Sequence, residues 1–215
     1  MTTRACALYR FAQDRLLLGR LILAGLILAP PVLSGCTPVG TAIGAASSVG
    51  VAAVQERSLA DAATDTRIRL DLNDIFLSRD LALFSAVGFA VVEGRVLLVG
   101  NVARPEDRDY AAREVWAVNG VREVINELKV GPAPGLSQIA DDRWAATSLS
   151  AKLLGDAAIA DVNYWVLVND GTVYLLGVAL SEGEAERVVD HAREVPGVRA
   201  VVSHVILKSD PRRAS

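Results

Sequence analysis

The sequence predicts an α+β protein built from two tandem copies of one module, each with the element order helix, strand, strand, helix, strand. The main observation is an internal repeat: the stretch 93–100, EGRVLLVG, returns 77 positions later as 170–177, DGTVYLLG. At the same offset, VNGVR at 118–122 returns as VPGVR at 195–199. Two unrelated motifs that share one spacing indicate two copies of one structural unit.

Length and charge are consistent with two small domains behind an N-terminal extension. The chain has 215 residues, and the repeat assigns 65–131 to the first module and 142–208 to the second. Modules of this size are near the lower limit for burying an adequate core, so we expect them to pack on each other. The formal net charge of −3 argues against a general nucleic-acid-binding protein.

The N-terminus has the pattern of a secretory signal peptide. Residues 1–20 contain four arginines and one aspartate, and an apolar run of nine residues follows at 21–29. Such a run is too short to cross a bilayer, which takes about 20 apolar residues. The sequence Leu33-Ser34-Gly35-Cys36 then resembles the bacterial lipobox, which implies cleavage after residue 35 and lipidation of Cys36 by diacylglycerol and a further acyl chain such as palmitate. The alternative is a signal peptide cut elsewhere, with no role for Cys36.

Residues 36–64 are predicted to be a flexible tether, because they are rich in glycine, alanine, serine and threonine. Small residues four apart in this segment are also compatible with helix packing in lipid. Thr37, and not aspartate, follows the lipobox cysteine, and by resemblance this implies transport to the outer membrane. Cys6 lies in the signal peptide, so the mature chain is expected to contain no disulfide.

The elements of the first module follow from periodicity and turn residues. Apolar residues at helical spacing predict a helix at 66–78. Two β-rich runs joined by Glu93-Gly94 predict a hairpin. Pro105 and the acidic residues after it suit the first turn of a second helix, which Asn119-Gly120 ends. The predicted strands are 87–92, 95–101 and 121–130, and the second helix is 105–118.

The second module repeats this order after a proline- and glycine-rich break. Residues 132–141 are assigned to a linker and 209–215 to a disordered tail. The predicted elements are a helix at 142–154, strands at 162–168 and 172–178, a helix at 182–195 and a strand at 198–208.

These motifs resemble the BON domain, present here twice. The lipobox, the small-residue tether, Arg57-Ser58 before the first module and Asp142-Arg143-Trp144 at the start of the second are similar to the dual-BON outer-membrane lipoproteins of Gram-negative bacteria. The resemblance covers about 36–208. It implies an αββαβ fold for each module, a lipid anchor in the outer membrane, a position facing the periplasm, and a second module that binds anionic phospholipid and supports envelope integrity.

The first helix of the second module offers a candidate phospholipid-binding surface. Ala145, Leu149 and Leu153 cluster on one face, whereas Trp144 lies about 140° from Leu149 and is expected to point away from the core. Its counterpart in the first module is Arg67, so the fold does not require an aromatic ring there. An indole suits the bilayer interface. The alternative is that Trp144 packs between the modules. The predicted phospholipid-binding residues are Arg143, Trp144, Ser148, Ala151, Lys152 and Leu154.

This helix has fewer basic residues than the resemblance implies, because Ser148 and Ser150 are neutral. Only Arg143 and Lys152 remain to attract an anionic surface, at about 1 kcal/mol each. Binding is therefore expected to rely more on apolar insertion.

A second apolar surface is predicted around Trp165 and Leu167, which replace Gly88 and Ala90 of the first copy. If helices cover only one side of each sheet, these side chains pack between the modules or bind an external protein. Trp116 is expected in a core or between the modules.

No residue pattern of an enzyme is present. His191 and His204 replace Glu114 and Glu127 of the first copy, which predicts solvated positions. Acidic pairs such as Asp141-Asp142 and Glu184/Glu186 are interpreted as helix starts and solvated faces. The sequence shows no nucleophile motif, metal-ligand pattern or phosphate-binding loop, so no small-molecule substrate, metal or further cofactor is expected. Two other functions remain open: an adaptor for envelope proteins such as the outer-membrane assembly machinery, and a periplasmic stress or chaperone-like module.

Overall fold

Two modules of similar structure follow each other in the computed structural model, which describes residues 59–214. The signal peptide, Cys36 and the tether up to residue 58 lie outside the described residues. The first module contains helices α1 (Leu59–Arg79), α2 (Leu81–Ala86) and α3 (Pro105–Ala117) and strands β1 (Val87–Val92), β2 (Arg95–Val102) and β3 (Glu123–Val130). The second contains α4 (Leu136–Gly155), a 3-10 turn (Asp161–Asn163), β4 (Tyr164–Asn169), β5 (Thr172–Ala179), α5 (Glu182–Arg193), β6 (Ala200–Leu207) and a terminal 3-10 helix (Pro211–Ala214).

Each module has a three-stranded sheet with the hairpin's second strand in the centre. The order is β1-β2-β3 in the first and β4-β5-β6 in the second, with the hairpin antiparallel and the last pair parallel. The registers are also equivalent, since Val87 pairs with Gly100 and Tyr164 pairs with Gly177, 77 positions later. The predicted α+β class and the two-module order are confirmed.

Both hairpins turn through two residues with positive φ. Glu93 and Gly94 have φ of 53° and 73°, and Asp170 and Gly171 have φ of 51° and 65°. Two consecutive left-handed residues make a type I′ turn, whose twist matches the twist of the flanking strands. This geometry explains why the repeat keeps an acid-Gly pair between its strands.

Helices cover one face of each sheet and form a separate core there. The first core is built on Ile68, Leu72 and Phe76 of α1, and the second on Ala145, Leu149 and Leu153 of α4. All six are buried. Burying a large aliphatic side chain contributes about 1.5–3 kcal/mol, so each helix is held mainly by this stripe.

The other faces of the two sheets pack against each other and form a third cluster, here called the inter-module cluster. Leu167 packs against it from β4, and the Arg69 guanidinium of α1 lies 4.6 Å from the centroid of the Trp165 ring. The two modules therefore bury apolar surface together. The buried members of the inter-module cluster are Ala90, Val92, Leu97, Val99, Tyr174, Leu176, Val178 and Ile206.

The structure differs from the sequence prediction mainly at the starts of two helices, at one additional short helix and in the tail. Helix α1 begins at Leu59, inside the predicted tether, and α4 begins at Leu136, so residues 136–141 of the predicted linker are helical. The short helix α2 was not predicted; Asp80 caps it, since the Asp80 carboxylate accepts from the Leu83 N–H at 2.6 Å. Within the predicted disordered tail, Pro211–Ala214 forms a 3-10 helix, in which Arg213 binds Glu93 of the first module.

Candidate membrane-facing surface

A buried aspartate fixes α4 relative to its own hairpin. Asp142 Oδ2 accepts from the Asp170 N–H at 2.7 Å, and Asp142 Oδ1 accepts from the Gly171 N–H at 2.9 Å. Its counterpart Asp65 binds the two N–H groups of the first hairpin turn in the same way. These charge-assisted bonds satisfy turn donors that no strand can reach.

The burial of Asp142 corrects the sequence interpretation, in which the Asp141-Asp142 pair marks a helix start and a solvated face. Asp141 is exposed, but Asp142 is buried. The same correction applies to Glu184, which is buried and accepts from the N–H groups of Ala160 at 2.9 Å and Leu180 at 2.7 Å. Glu186 is exposed.

With α4 fixed in this way, Trp144 points away from the core. The residue is 54% exposed and lies on the side of the helix opposite the buried Leu149 and Leu153. A groove of about 920 Å³ runs between the modules and is lined by Arg143 and Ala146 of α4, but not by Trp144. Trp144 therefore lies outside this groove and is accessible from solvent.

Helix α4 carries an exposed apolar line beside Trp144, here called the outer stripe. Leu136 is 87% exposed and Leu154 is 72% exposed. They are 18 residues apart, which is five full helical turns, so they share one direction about 80° from Trp144. At 1.5 Å per residue they span about 27 Å along the helix axis. The outer stripe consists of Leu136, Ala140, Trp144, Ala151 and Leu154.

Leu136 and Ala140 were not predicted to belong to this surface, because the helix was expected to begin at residue 142. The signal was available, since Leu136 precedes Leu154 by a whole number of turns and no proline separates them. Of the predicted phospholipid-binding residues, the structure places Trp144, Ala151 and Leu154 on the outer stripe. Ser148 is half-buried beside it.

Only two basic side chains of the predicted phospholipid-binding set lie near the outer stripe, and one of them is paired with a carboxylate. Arg143 is exposed at one edge and makes no ion pair within residues 59–214. Lys152 lies on the other flank, where its Nζ donates to Glu194 Oε2 at 2.9 Å. This hydrogen bond lowers the pKa of Glu194, so the Lys152 charge is already paired. Arg143 is thus the main cation available to an anionic surface.

Three further side chains lie in surroundings different from those predicted. Trp116 is 56% exposed at the end of α3, so the prediction that it packs in a core or between the modules is wrong. Both histidines are half-buried, not solvated. His191 Nε2 lies 2.8 Å from Asp156 Oδ2, and His204 Nε2 lies 3.0 Å from Glu127 Oε1 of the other module.

Within the described residues, no helix has both the length and the apolar character needed to cross a membrane. The same residues bring no group of three or more histidine, cysteine, aspartate or glutamate side chains into an arrangement that could hold a metal ion.

Comparison with known families identifies both modules. Residues 64–132 and 141–209 each match the BON domain, and together they make up more than half of the chain. The protein belongs to the BON domain family and contains two BON domains in tandem.

Several relatives share this region. The chain is 37% identical over 132 residues to an uncharacterized protein in the gshII 5′ region of Anaplasma centrale, covering 61% of this chain and 87% of that one. It is 29% identical over 181 residues to the outer membrane lipoprotein DolP of Haemophilus influenzae, covering 84% and 92% of the two chains. It is 32% identical over 128 residues to the 21 kDa hemolysin of Actinobacillus pleuropneumoniae, covering 59% and 66%.

Proposed function

We propose that this protein is an outer-membrane lipoprotein facing the periplasm, whose second BON domain binds phospholipid and so supports envelope integrity. The observation that carries the proposal is the outer stripe of α4, an exposed apolar line about 27 Å long that ends in leucines and contains a tryptophan. An apolar helix face with an indole is typical of segments that lie in the bilayer interface.

The anchor is proposed at Cys36, since the lipobox pattern stands before it and the similar Haemophilus protein is an outer membrane lipoprotein. Acyl chains on Cys36 would hold the chain at the membrane, because each buried methylene contributes about 0.8 kcal/mol. The second domain then has only to dock on a surface that is already near. Weak contacts suffice in that arrangement, because the anchor raises the local concentration of lipid.

Docking by this face would depend mainly on apolar insertion. Burying Leu136, Trp144 and Leu154 removes three large exposed side chains from water, at about 1.5–3 kcal/mol for each one fully buried. Arg143 adds about 1 kcal/mol on an anionic membrane. The negative charge of the exposed Asp141 opposes this attraction to the anionic membrane. Lys152 adds little to the attraction while it pairs with Glu194. We therefore propose a modest preference for anionic over zwitterionic lipid.

The proposal is tested by sedimenting the fragment 57–215 with vesicles of phosphatidylglycerol mixed with phosphatidylcholine, or of phosphatidylcholine alone. This fragment retains both cores and the inter-module cluster. We expect Trp144→Ala to weaken binding about tenfold, which corresponds to about 1.4 kcal/mol of lost insertion.

Trp116→Ala is the matched control, since Trp116 is as exposed as Trp144 but lies on the first domain. It is expected to bind like the unmodified fragment. The proposal fails if the unmodified fragment stays in the supernatant with both kinds of vesicle, or if the two tryptophan variants lose binding equally.

A further inference from the structure

A small cavity lies where the C-terminal tail meets the hairpin turn of the first domain, and it is here called the arginine pocket. Its volume is about 200 Å³. A second cavity of about 350 Å³ adjoins it and shares Glu93, Arg122 and Arg213 as lining residues. The charged residues that line the arginine pocket are Arg95, Arg122, Arg212, Arg213, Glu93 and Glu123.

Three of the four arginines in this pocket are held by carboxylates, and within the described part of the chain the fourth, Arg122, makes only a long ion pair with Asp61. Both carboxylates are already engaged: Glu93 accepts from Arg213 Nε at 2.9 Å and Nη2 at 2.7 Å, and Glu123 accepts from Arg95 Nε at 2.5 Å. Arg212 is likewise held by Asp210, which accepts from its Nε at 3.0 Å and from its Nη2 at 2.8 Å. The donors open to an entering anion are therefore those of Arg95 and Arg122.

Arg95 has a buried donor that the protein does not use. The residue is 6% exposed, and its Nη2 donates to the His204 carbonyl at 3.0 Å. Its Nη1 is buried and has no hydrogen-bond partner among the described residues. A buried charged donor without an acceptor is unfavourable, which indicates that a partner is missing.

The internal repeat shows that the BON fold itself does not require this arginine. The position equivalent to Arg95 in the second domain is Thr172, and the position equivalent to Glu123 is Ala200. The second domain makes the same strand pairs with these two uncharged residues. The buried Arg95 is thus a property of this pocket and not of the strand.

Arg122 also differs from its repeat counterpart. In the second domain, Arg199 Nη2 donates to the Asp170 carbonyl at 2.6 Å and to Asp170 Oδ1 at 2.8 Å. Glu93 is the residue of the first domain that is equivalent to Asp170, and its carboxylate binds Arg213 of the tail instead. Arg122 makes a long ion pair, with 4.0 Å between its Nη2 and Asp61 Oδ1, and its side chain is 48% exposed. Arg122 thus does not bind the hairpin acid as Arg199 does, and it lies at the exposed rim of the pocket.

We propose that the arginine pocket binds an oxyanion, namely the phosphate group of inorganic phosphate or of a phosphate ester. Planar guanidinium groups donate paired hydrogen bonds that match phosphate oxygens. A water molecule takes about 30 Å³, so the cavity has room for a group several times larger. Arg95 Nη1 supplies a donor from the interior, and Arg122 closes on the anion from the rim. The adjoining cavity accommodates the ester group when one is present.

The test is calorimetric titration of the fragment 57–215 with inorganic phosphate, and separately with glycerophosphoglycerol, the soluble headgroup of phosphatidylglycerol. Saturable binding of either compound is expected, and Arg122→Gln should weaken it about tenfold, as loss of one charge-assisted contact predicts. Arg199→Gln, the repeat counterpart, should leave binding unchanged. Tighter binding of inorganic phosphate identifies a free anion as the ligand, whereas tighter binding of the diester identifies a lipid headgroup.

A second variant separates a lost ligand site from a lost fold. Arg95→Thr combined with Glu123→Ala introduces the residues that the second domain carries at these positions, so it is expected to stay folded and to bind no phosphate. Trp144→Ala should keep full phosphate affinity, because α4 is not part of the pocket. The proposal is overturned if neither compound binds saturably to the unmodified fragment, or if Arg122→Gln binds as tightly as the unmodified fragment.

Discussion

Replacement of Asp142 by alanine is expected to lower the free energy of unfolding by about 3 kcal/mol. The change removes a buried carboxylate that accepts hydrogen bonds from the N–H groups of Asp170 and Gly171, and a further one from the Gln138 side chain. Hydrogen bonds to a charged group contribute about 1.5–3 kcal/mol each, and the two N–H groups would remain buried without an acceptor. Urea denaturation of the fragment 57–215, followed by circular dichroism, measures the loss.

The neighbouring Asp141 provides the matched control. It is exposed on the same helix turn, so Asp141→Ala should change the stability by no more than about 0.5 kcal/mol. Equal effects of the two variants would contradict the assignment of Asp142 as the residue that fixes α4 to its hairpin.

Replacement of Arg213 by alanine is expected to lower the free energy of unfolding by about 3 kcal/mol, although the residue lies in the short terminal 3-10 helix. The change leaves the Glu93 carboxylate buried without its bidentate partner, since Glu93 is 7% exposed and Arg213 is 16% exposed in the intact pair. Breaking a buried ion pair from one side typically costs 3–5 kcal/mol, and we take the lower end because the pair is near the surface.

A double-mutant cycle with Glu93→Gln isolates this contact. The combined variant should be less destabilised than the sum of the two single variants by at least about 1.5 kcal/mol, because removing both charges leaves neither one unpaired. Additive effects would show that the tail does not hold the first domain through this pair.

Most of the fold could be predicted from the repeat, because its motifs mark short-range structure and occur in both copies. The acid-Gly pair marks a two-residue hairpin, and a hairpin turn fixes the register of its strands. Both hairpins and the helix after each of them therefore lie close to where the sequence placed them. The beginnings of α1 and α4 were less predictable, since no residue of 60–64 or 136–141 is buried. Leu136, for example, contributes no buried periodicity.

Some errors concern residues for which the sequence did contain a signal. Asp142 lies three residues before Ala145 and seven before Leu149, on the buried stripe of α4, and the same is true of Asp65 in the first copy. An acid repeated on a buried stripe predicts a carboxylate that binds backbone N–H groups. Trp116 corresponds to the exposed Arg193, so comparison of the copies would have placed it at the surface.

Other features could not be predicted from local pattern. The bond between Arg213 and Glu93 joins residues 120 positions apart, and the contact between His204 and Glu127 links the two domains. Both depend on how the two sheets pack, and no periodicity within one domain encodes that arrangement. The arginine pocket was missed for the same reason, because its arginines come from three separate parts of the chain.

The central claim, that the outer stripe of α4 enters the membrane interface, is tested most directly by tryptophan fluorescence. A fragment 57–215 with Trp116→Phe and Trp165→Phe retains Trp144 alone. With phosphatidylglycerol-containing vesicles, its emission should shift to shorter wavelength and be quenched most by lipids brominated near the ester groups, since an indole prefers this depth. Emission that stays at its aqueous wavelength and is unaffected by any brominated lipid would contradict the claim.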